Sequence, residues 1–162
     1  MRDRMRLTTR TNLAMRTLMY CAVNDGHIVR RHEVARCCNA SENHLAQVVN
    51  TLAQLGFLET QRGRAGGLRL GRPQSEIRVG QVFRAFEAGT PFAECFDPKT
   101  NSCPLLGACL LRPALAEAVE AFYSALDRLT LADLVAQNAG LERLMQIGAR
   151  ITQPACSAAT AA

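Results

Sequence analysis

The sequence predicts a mainly α fold: a winged helix-turn-helix with a small β-hairpin wing, followed by a long C-terminal helix. Three observations carry that prediction. Segments of helical periodicity separated by tight turns fill residues 11–54. The apolar period then switches towards two over "FLETQRGRAGGLRL", residues 57–70, around a glycine-rich basic tip. Charge is also uneven. Residues 1–72 hold 12 Arg against 5 acidic residues, while residues 73–162 hold 7 basic against 9 acidic ones. A basic first half suggests a polyanionic partner, with nucleic acid first and a membrane surface second.

Each element has its own signal. "TNLAMRTLMYCAVN", Thr11 to Asn24, reads as a helix with Leu13, Leu18, Cys21 and Ala22 approximating a stripe. Thr11 or Asn12 can cap it, and Asn24 to Gly26 end it. A short helix follows over Arg31 to Cys37. Asn39 to Ser41 make a turn, with Ser41 as N-cap of a third helix from Glu42 to Gln54. Leu45, Val48, Val49, Leu52 and Leu55 form its apolar face; Asn43, Gln47, Asn50 and Gln54 form the opposite one. Gly56 sits at the usual C′ position. After the hairpin a short helix covers Val79 to Glu87. Pro113 fits the first turn of a long helix from Arg112 to about Leu129, lined by Leu115, Val119, Phe122, Leu126 and Leu129. The Ala-, Ser- and Thr-rich end after Gln153 reads as disordered.

The chain has 162 residues, 48% of them hydrophobic, enough for one domain with an appendage. Its apolar runs are far shorter than the ~18 residues of a membrane span. "MRDRMRLTTR" is basic but no apolar stretch follows, so no signal peptide is read and a cytoplasmic location is expected, with no membrane partner. In that reducing setting seven cysteines, an odd number, point to metal binding or reactivity before disulfides.

In a helix-turn-helix the third helix enters the DNA major groove with its N-terminal residues near the base edges. Here those are Ser41, Glu42, Asn43, His44 and Gln47. Asn and Gln pair with adenine, and Ser pairs broadly. The hairpin offers Arg62, Arg64 and Arg69 to phosphates or a narrow minor groove. The histidines at 27, 32 and 44 form no ligand cluster and read as surface or DNA-facing. Cys21, Cys37 and Cys38 lie on or beside apolar helix faces and read as small core hydrophobes.

The other signal is "AECFDPKTNSCPLLGACLL", residues 93–111, where Cys95, Cys103 and Cys109 are spaced C-x7-C-x5-C. Structural zinc wants close cysteine pairs and four protein ligands, and no second pair or nearby His is present. Reduced surface thiols are the plain alternative. An iron–sulfur cluster suits three thiolates on a loop with Pro and Gly better. Three thiolates leave one coordination position open, which suits a sensor more than an electron carrier.

Both motifs together resemble the Rrf2 family of bacterial transcription regulators. The resemblance covers about Met5 to Val135. It is carried by "MRLTTRTNLAMRTLMYCA", by "GFLETQRGRAGGLRLGRP" and by the cysteine loop with the long helix after it. Members typically begin near "MRLT", which makes Met5 an alternative start to Met1. The resemblance implies a homodimer with its long helices crossed. It also implies a cluster, 4Fe–4S or 2Fe–2S, that governs binding to a double-stranded DNA operator. On that reading 5–90 is the DNA-binding domain, 91–111 the cluster loop, 112–135 the dimerisation helix and 136–162 a partly disordered tail.

"NHLAQVVNTLAQLGFL", "ECFDPKTNSCPLLGACLL" and "LTLADLV" resemble the nitric-oxide-sensing repressors of the family. "TNLAMRTLMYCAVNDGH" and the cysteine spacing resemble its iron-responsive regulators. Some nitric-oxide sensors ligate the fourth iron with an aspartate from the partner's first helix, and the matching position here is Asn12, a weaker ligand. The expected function is a cluster-dependent repressor sensing nitric oxide, not an enzyme. The alternatives are an iron-responsive regulator, a small iron–sulfur electron carrier and a zinc-stabilised DNA binder.

Overall fold

A computed structural model describes residues 7–63, 66–87 and 89–147. Helix α1, Thr9–Val23, begins two residues before the expected start. Thr8 provides the cap: its hydroxyl accepts the Thr11 N–H at 3.2 Å. The helix is buried around most of its circumference, from Thr11 to Ala22, rather than along one stripe. It is the post about which the other elements pack. Its buried hydroxyl at Thr17 is satisfied by the Leu13 carbonyl at 2.7 Å.

Helices α2, Arg31–Cys37, and α3, Glu42–Gln54, follow with the expected limits. The Glu33 carboxylate accepts the Arg30 N–H at 2.7 Å at the start of α2. The turn between them passes through Asn39 with φ 50°, a conformation that Asn adopts more readily than most residues. Ser41 Oγ accepts the His44 N–H at 3.3 Å and starts α3. Leu45, Val48, Val49 and Leu52 are buried. Leu55, expected on that face, falls at the C-cap and is 40% exposed.

Strands β1, Leu58–Gln61, and β2, Gly67–Leu70, pair antiparallel, with Leu58 opposite Leu70 and Glu59 opposite Arg69. Val29, ahead of α2, exchanges two backbone bonds with Leu68, at 2.9 and 2.8 Å, and ties the wing to the helices. Gly67 permits that approach, since a Cβ there would stand 2.5 Å from the Val29 carbonyl oxygen.

Helix α4, Val79–Glu87, returns across α1. The long helix α5 spans Leu111–Leu126, three residues shorter at its end than expected. The chain then turns back. The Val79 N–H donates to the Leu129 carbonyl at 2.9 Å, and the Leu131 N–H donates to that of Ile77 at 2.8 Å. Arg84 meets Asp127 and Glu120 of the α5 end, and Phe83 packs on Phe122 with ring centroids 6.2 Å apart. No residue of α5 is buried.

Two further helices, α6, Leu131–Val135, and α7, Ala139–Met145, pack back onto α1. Leu131 and Val135 reach the core, and Asn24 fastens the end of α7. Its amide nitrogen donates to the Met145 carbonyl at 2.8 Å, and its oxygen accepts the Ile147 N–H at 2.9 Å. Residues 139–145 are thus helical within the stretch expected to be a tail, whereas residues 148–162 lie outside the described ones. No helix among the described residues is long and apolar enough to cross a membrane.

The α6 cap is sensitive to pH. The Asp133 carboxylate accepts the backbone N–H and the hydroxyl of Thr130, which hold its carboxyl below the usual aspartate range. A depressed folded pKa adds stability that is present above the unfolded value, about 3.9, and is lost as pH falls through the folded one. Wild type is therefore expected to exceed Asp133→Asn in urea stability at neutral pH, and the gap to close at pH values below that window.

Candidate nucleic-acid interface and cysteine loop

With one face of α3 committed to the core, the other is left to solvent. Ser41, Glu42, Asn43, Gln47, Asn50 and Gln54 are exposed, and His44 is half-buried. A 13-residue helix with a polar outer face and a core-locked inner face presents its donors and acceptors rigidly. On the wing, Arg62 is exposed, whereas Arg64 lies outside the described residues. Arg69 is not free. Its guanidinium is paired with Glu59 directly across the sheet, with Nε at 2.8 Å. Arg30 donates to the Gly66 carbonyl and so braces the wing tip against the start of α2.

The sequence alone left some exposed cations unassigned. Arg10 of α1 and Arg31 and Arg36 of α2 are exposed, and none forms an ion pair among the described residues. The basic first half seen in the sequence is thus a surface property. Acidic partners there are few, and the Glu59 carboxylate already serves Arg69.

The three cysteines of the 93–111 segment stand between α4 and α5. Cys95 lies in a single 3₁₀ turn, Glu94–Phe96, and Cys103 and Cys109 lie in irregular backbone; all three are half-buried free thiols. Side chains brace the loop. The Glu94 carboxylate accepts the Ser102 N–H at 2.6 Å and its hydroxyl at 2.7 Å, joining the neighbours of Cys95 and Cys103. Asp97 accepts the Lys99 N–H at 2.9 Å and the Thr100 hydroxyl at 2.8 Å. These bonds hold both carboxyls below their ordinary range. Arg112, in the first turn of α5, donates to the Cys95 carbonyl at 3.1 Å and lies over the Phe96 ring at 5.9 Å.

Among the described residues no group of three His, Cys, Asp or Glu side chains is gathered to hold a metal ion. The donor set on this loop suits an iron–sulfur cluster in kind: three thiols on one segment, neither deeply buried nor fully exposed. The loop as folded does not draw them together.

Asn12, the position matched to a fourth ligand, is exposed near the start of α1. A carboxylate does reach this helical turn, from elsewhere. Glu87, the last residue of α4, accepts the Thr8 N–H at 2.9 Å, the Thr8 hydroxyl at 3.0 Å and the Thr11 hydroxyl. Sequence reasoning missed this clasp because its partners stand 79 and 76 residues apart.

The remaining thiols divide. Cys21 and Cys38 are buried, and burial pushes the Cys21 thiol up to about 12, as befits a small core residue. Cys37 meets the core expectation in part, packed against the core but at its margin. It is half-buried at the end of α2, with its sulfur 3.6 Å from the Leu144 carbonyl oxygen near the end of α7. Cys156 lies outside the described residues.

Residues 7–137 match the Rrf2 family, described as "Iron-dependent Transcriptional regulator". A protein of Rhizobium meliloti (strain 1021), "Protein aau3", is 44% identical over 131 residues, 81% of this chain and 85% of its own. The "HTH-type transcriptional regulator NsrR" of Geobacillus kaustophilus (strain HTA426) is 41% identical over 143 residues, 88% of this chain and 97% of its own. In three dimensions the chain is similar to the oxidized form of Staphylococcus aureus CymR, with a TM-score of 0.64 at 23% identity. That likeness covers 82% of this chain and 97% of the other, and at such identity it speaks for the fold.

Proposed function

From the premise that this chain belongs to the Rrf2 family of DNA-binding transcriptional regulators, we propose that it is a homodimeric cytoplasmic repressor controlled by an iron–sulfur cluster that senses nitric oxide. The observation that carries the proposal is where the thiols sit. Cys95, Cys103 and Cys109 occupy the segment joining α4, which grips α1, to the long helix α5. A change of shape in that segment therefore acts on the DNA-binding half and the long helix together. The likeness to NsrR relatives supports the choice of effector.

In this reading the three thiolates hold the cluster, 4Fe–4S or 2Fe–2S, and Asn12 of the partner's α1 faces the remaining coordination position. When bound, the cluster supplies an iron open to a small molecule. The chain's own residues do the rest. Glu94 keeps the neighbours of Cys95 and Cys103 together, and Arg112 ties the Cys95 carbonyl to α5. Arg84 ties α4 to the end of α5, and Glu87 ties α4 to α1. Helix α5 has no fully buried residue, and its stripe of Leu115, Val119, Phe122 and Leu126 is only partly covered within the chain, so a second copy would complete the cover. In the dimer the two α3 helices must stand about 34–36 Å apart to read successive major grooves. Relaxing the cysteine segment spoils that spacing.

Within α3, Ser41, Asn43, His44 and Gln47 are proposed to face bases, with Arg62, Arg64 and Arg69 on phosphate or minor groove. Arg69 must then leave Glu59 or share it.

One observation favours a second reading, an iron-responsive regulator of iron homeostasis. Asn12 puts an amide where a carboxylate would hold iron more firmly, and the family description is itself iron-dependent. Anaerobic operator binding followed during titration with nitric oxide and, separately, with a mild iron chelator divides the two. The expected result is release by nitric oxide while the chelator leaves the complex intact. Release by chelator from folded protein replaces the nitric-oxide reading with the iron one.

The ligand assignment has its own check. Cys95→Ala, Cys103→Ala and Cys109→Ala are each expected to abolish visible cluster absorbance after anaerobic purification, while Cys21→Ala retains it. Full absorbance in Cys103→Ala removes the assignment. For the DNA contacts, Arg62→Ala is expected to lower the salt slope of binding by roughly 1 on every sequence. Gln47→Ala should instead cost about 1–3 kcal/mol at one base position only. Binding isotherms on matched and singly substituted duplexes over a salt series distinguish the two.

A further inference from the structure

Arg10 stands in the first turn of α1, exposed, between Thr8 and Thr11. Those two threonines hold the Glu87 carboxylate through three hydrogen bonds. From the same turn the Arg10 guanidinium reaches the recognition helix, where Nη2 donates to Thr51 Oγ1 at 3.4 Å. The Thr51 hydroxyl donates in turn to the Gln47 carbonyl at 3.1 Å. Arg10 is therefore placed from both sides: its backbone by the clasp of Glu87, its head by a long, solvent-exposed contact with α3, one helical turn beyond Gln47.

No carboxylate pairs with Arg10 among the described residues. Its only hydrogen-bond partner there is a hydroxyl, which uses one of five N–H donors and no charge. A guanidinium held beside a recognition helix, charged and otherwise open, has the geometry that binds phosphate oxygens in two-pronged fashion. When a recognition helix lies in the major groove, phosphates line both edges of that groove, where contacts fix register and carry no sequence information.

We propose that Arg10 contacts the DNA phosphate backbone, placed at the groove edge by Thr51 and held there by the grip of Glu87 on its own helical turn. The proposal rests on α3 being the DNA-reading helix and does not require the cluster. It also gives the link from α4 a defined end. Loosening of Glu87 frees the first turn of α1 and withdraws a phosphate contact without unfolding α3.

The test uses the full-length protein and two duplexes of equal length: one selected from a random-sequence pool on the wild-type protein, and one unrelated. Binding is measured by fluorescence anisotropy over a series of salt concentrations. Arg10→Ala is expected to weaken both duplexes by the same factor and to lower the slope of log K against log salt by about one. Arg10→Lys should keep the wild-type slope. Glu87→Gln should weaken binding in the wild-type background and add little in the Arg10→Ala background, because both changes remove one contact. If Glu87→Gln does not fold, Thr11→Val, which removes one donor to the carboxylate, takes its place in the cycle.

A wild-type slope and affinity in Arg10→Ala overturn the contact. A loss confined to the selected duplex does so too, since it makes Arg10 a base reader. Equal effects of the Glu87 change in both backgrounds overturn the positioning half. If the wild-type protein shows no salt-dependent binding to either duplex, the DNA-reading assignment of α3 fails and takes the Arg10 contact with it.

Discussion

Helix α4 is seated in the core by Val79, Val82 and Phe86, and charged side chains orient it, so the relation between the winged half and the long helix depends on both. Near its end Arg84 reaches Asp127 and Glu120 and lies over the Tyr123 ring at 4.9 Å. One turn further, Glu87 takes three donors from the start of α1. At its beginning, the backbone pairs of Val79 with Leu129 and Leu131 with Ile77 join it to the chain just after α5. Gly80 lets the two helices close, because a Cβ there would meet Asp127 Oδ1 at 2.2 Å. These contacts are partly open to solvent, so each contributes modestly to stability. Their value is directional: they fix one body against another.

Much of this fold was legible in the sequence. The limits of α2, α3 and α4 follow from periodicity joined to a start or stop signal, as with Ser41 before α3 and Gly56 after it. Helix α1 was legible as a helix but not as the centre of the core. Thr11, Ala14 and Thr17 are small enough to be covered from several sides, and only the arrival of α3, α4, α6 and α7 covers them. The short helices α6 and α7 escaped because five or seven residues are too few to show a period. Their caps, Thr130 with Asp133 and Asn138 with Leu141, were the available signal.

The candidate site divides in the same way. The polar face of α3 followed directly from its apolar face. The pairing of Arg69 with Glu59 needed the hairpin register, which places those residues opposite each other. For the cysteine segment, spacing identified the donors and could not place them, since 93–110 lacks any regular ladder beyond one short turn. What orders it are carboxylates turned onto nearby N–H and hydroxyl groups, Glu94 on Ser102 and Asp97 on Lys99 and Thr100. Such local bonds are individually weak and easily exchanged. A segment held in this way can take up a new set of bonds without disturbing the core beneath it.

The partly covered flank of α5 has a consequence in numbers of molecules rather than in shape. Sixteen residues of helix with no fully buried side chain leave an apolar stripe that α4 covers only in part within one subunit. If two copies share that stripe, assembly follows mass action, and stability cannot be separated from concentration. Occupancy of a two-fold DNA site would then climb more steeply than in proportion to the number of chains in the cell. A modest change in synthesis or turnover would move such a regulator across its threshold with no effector present.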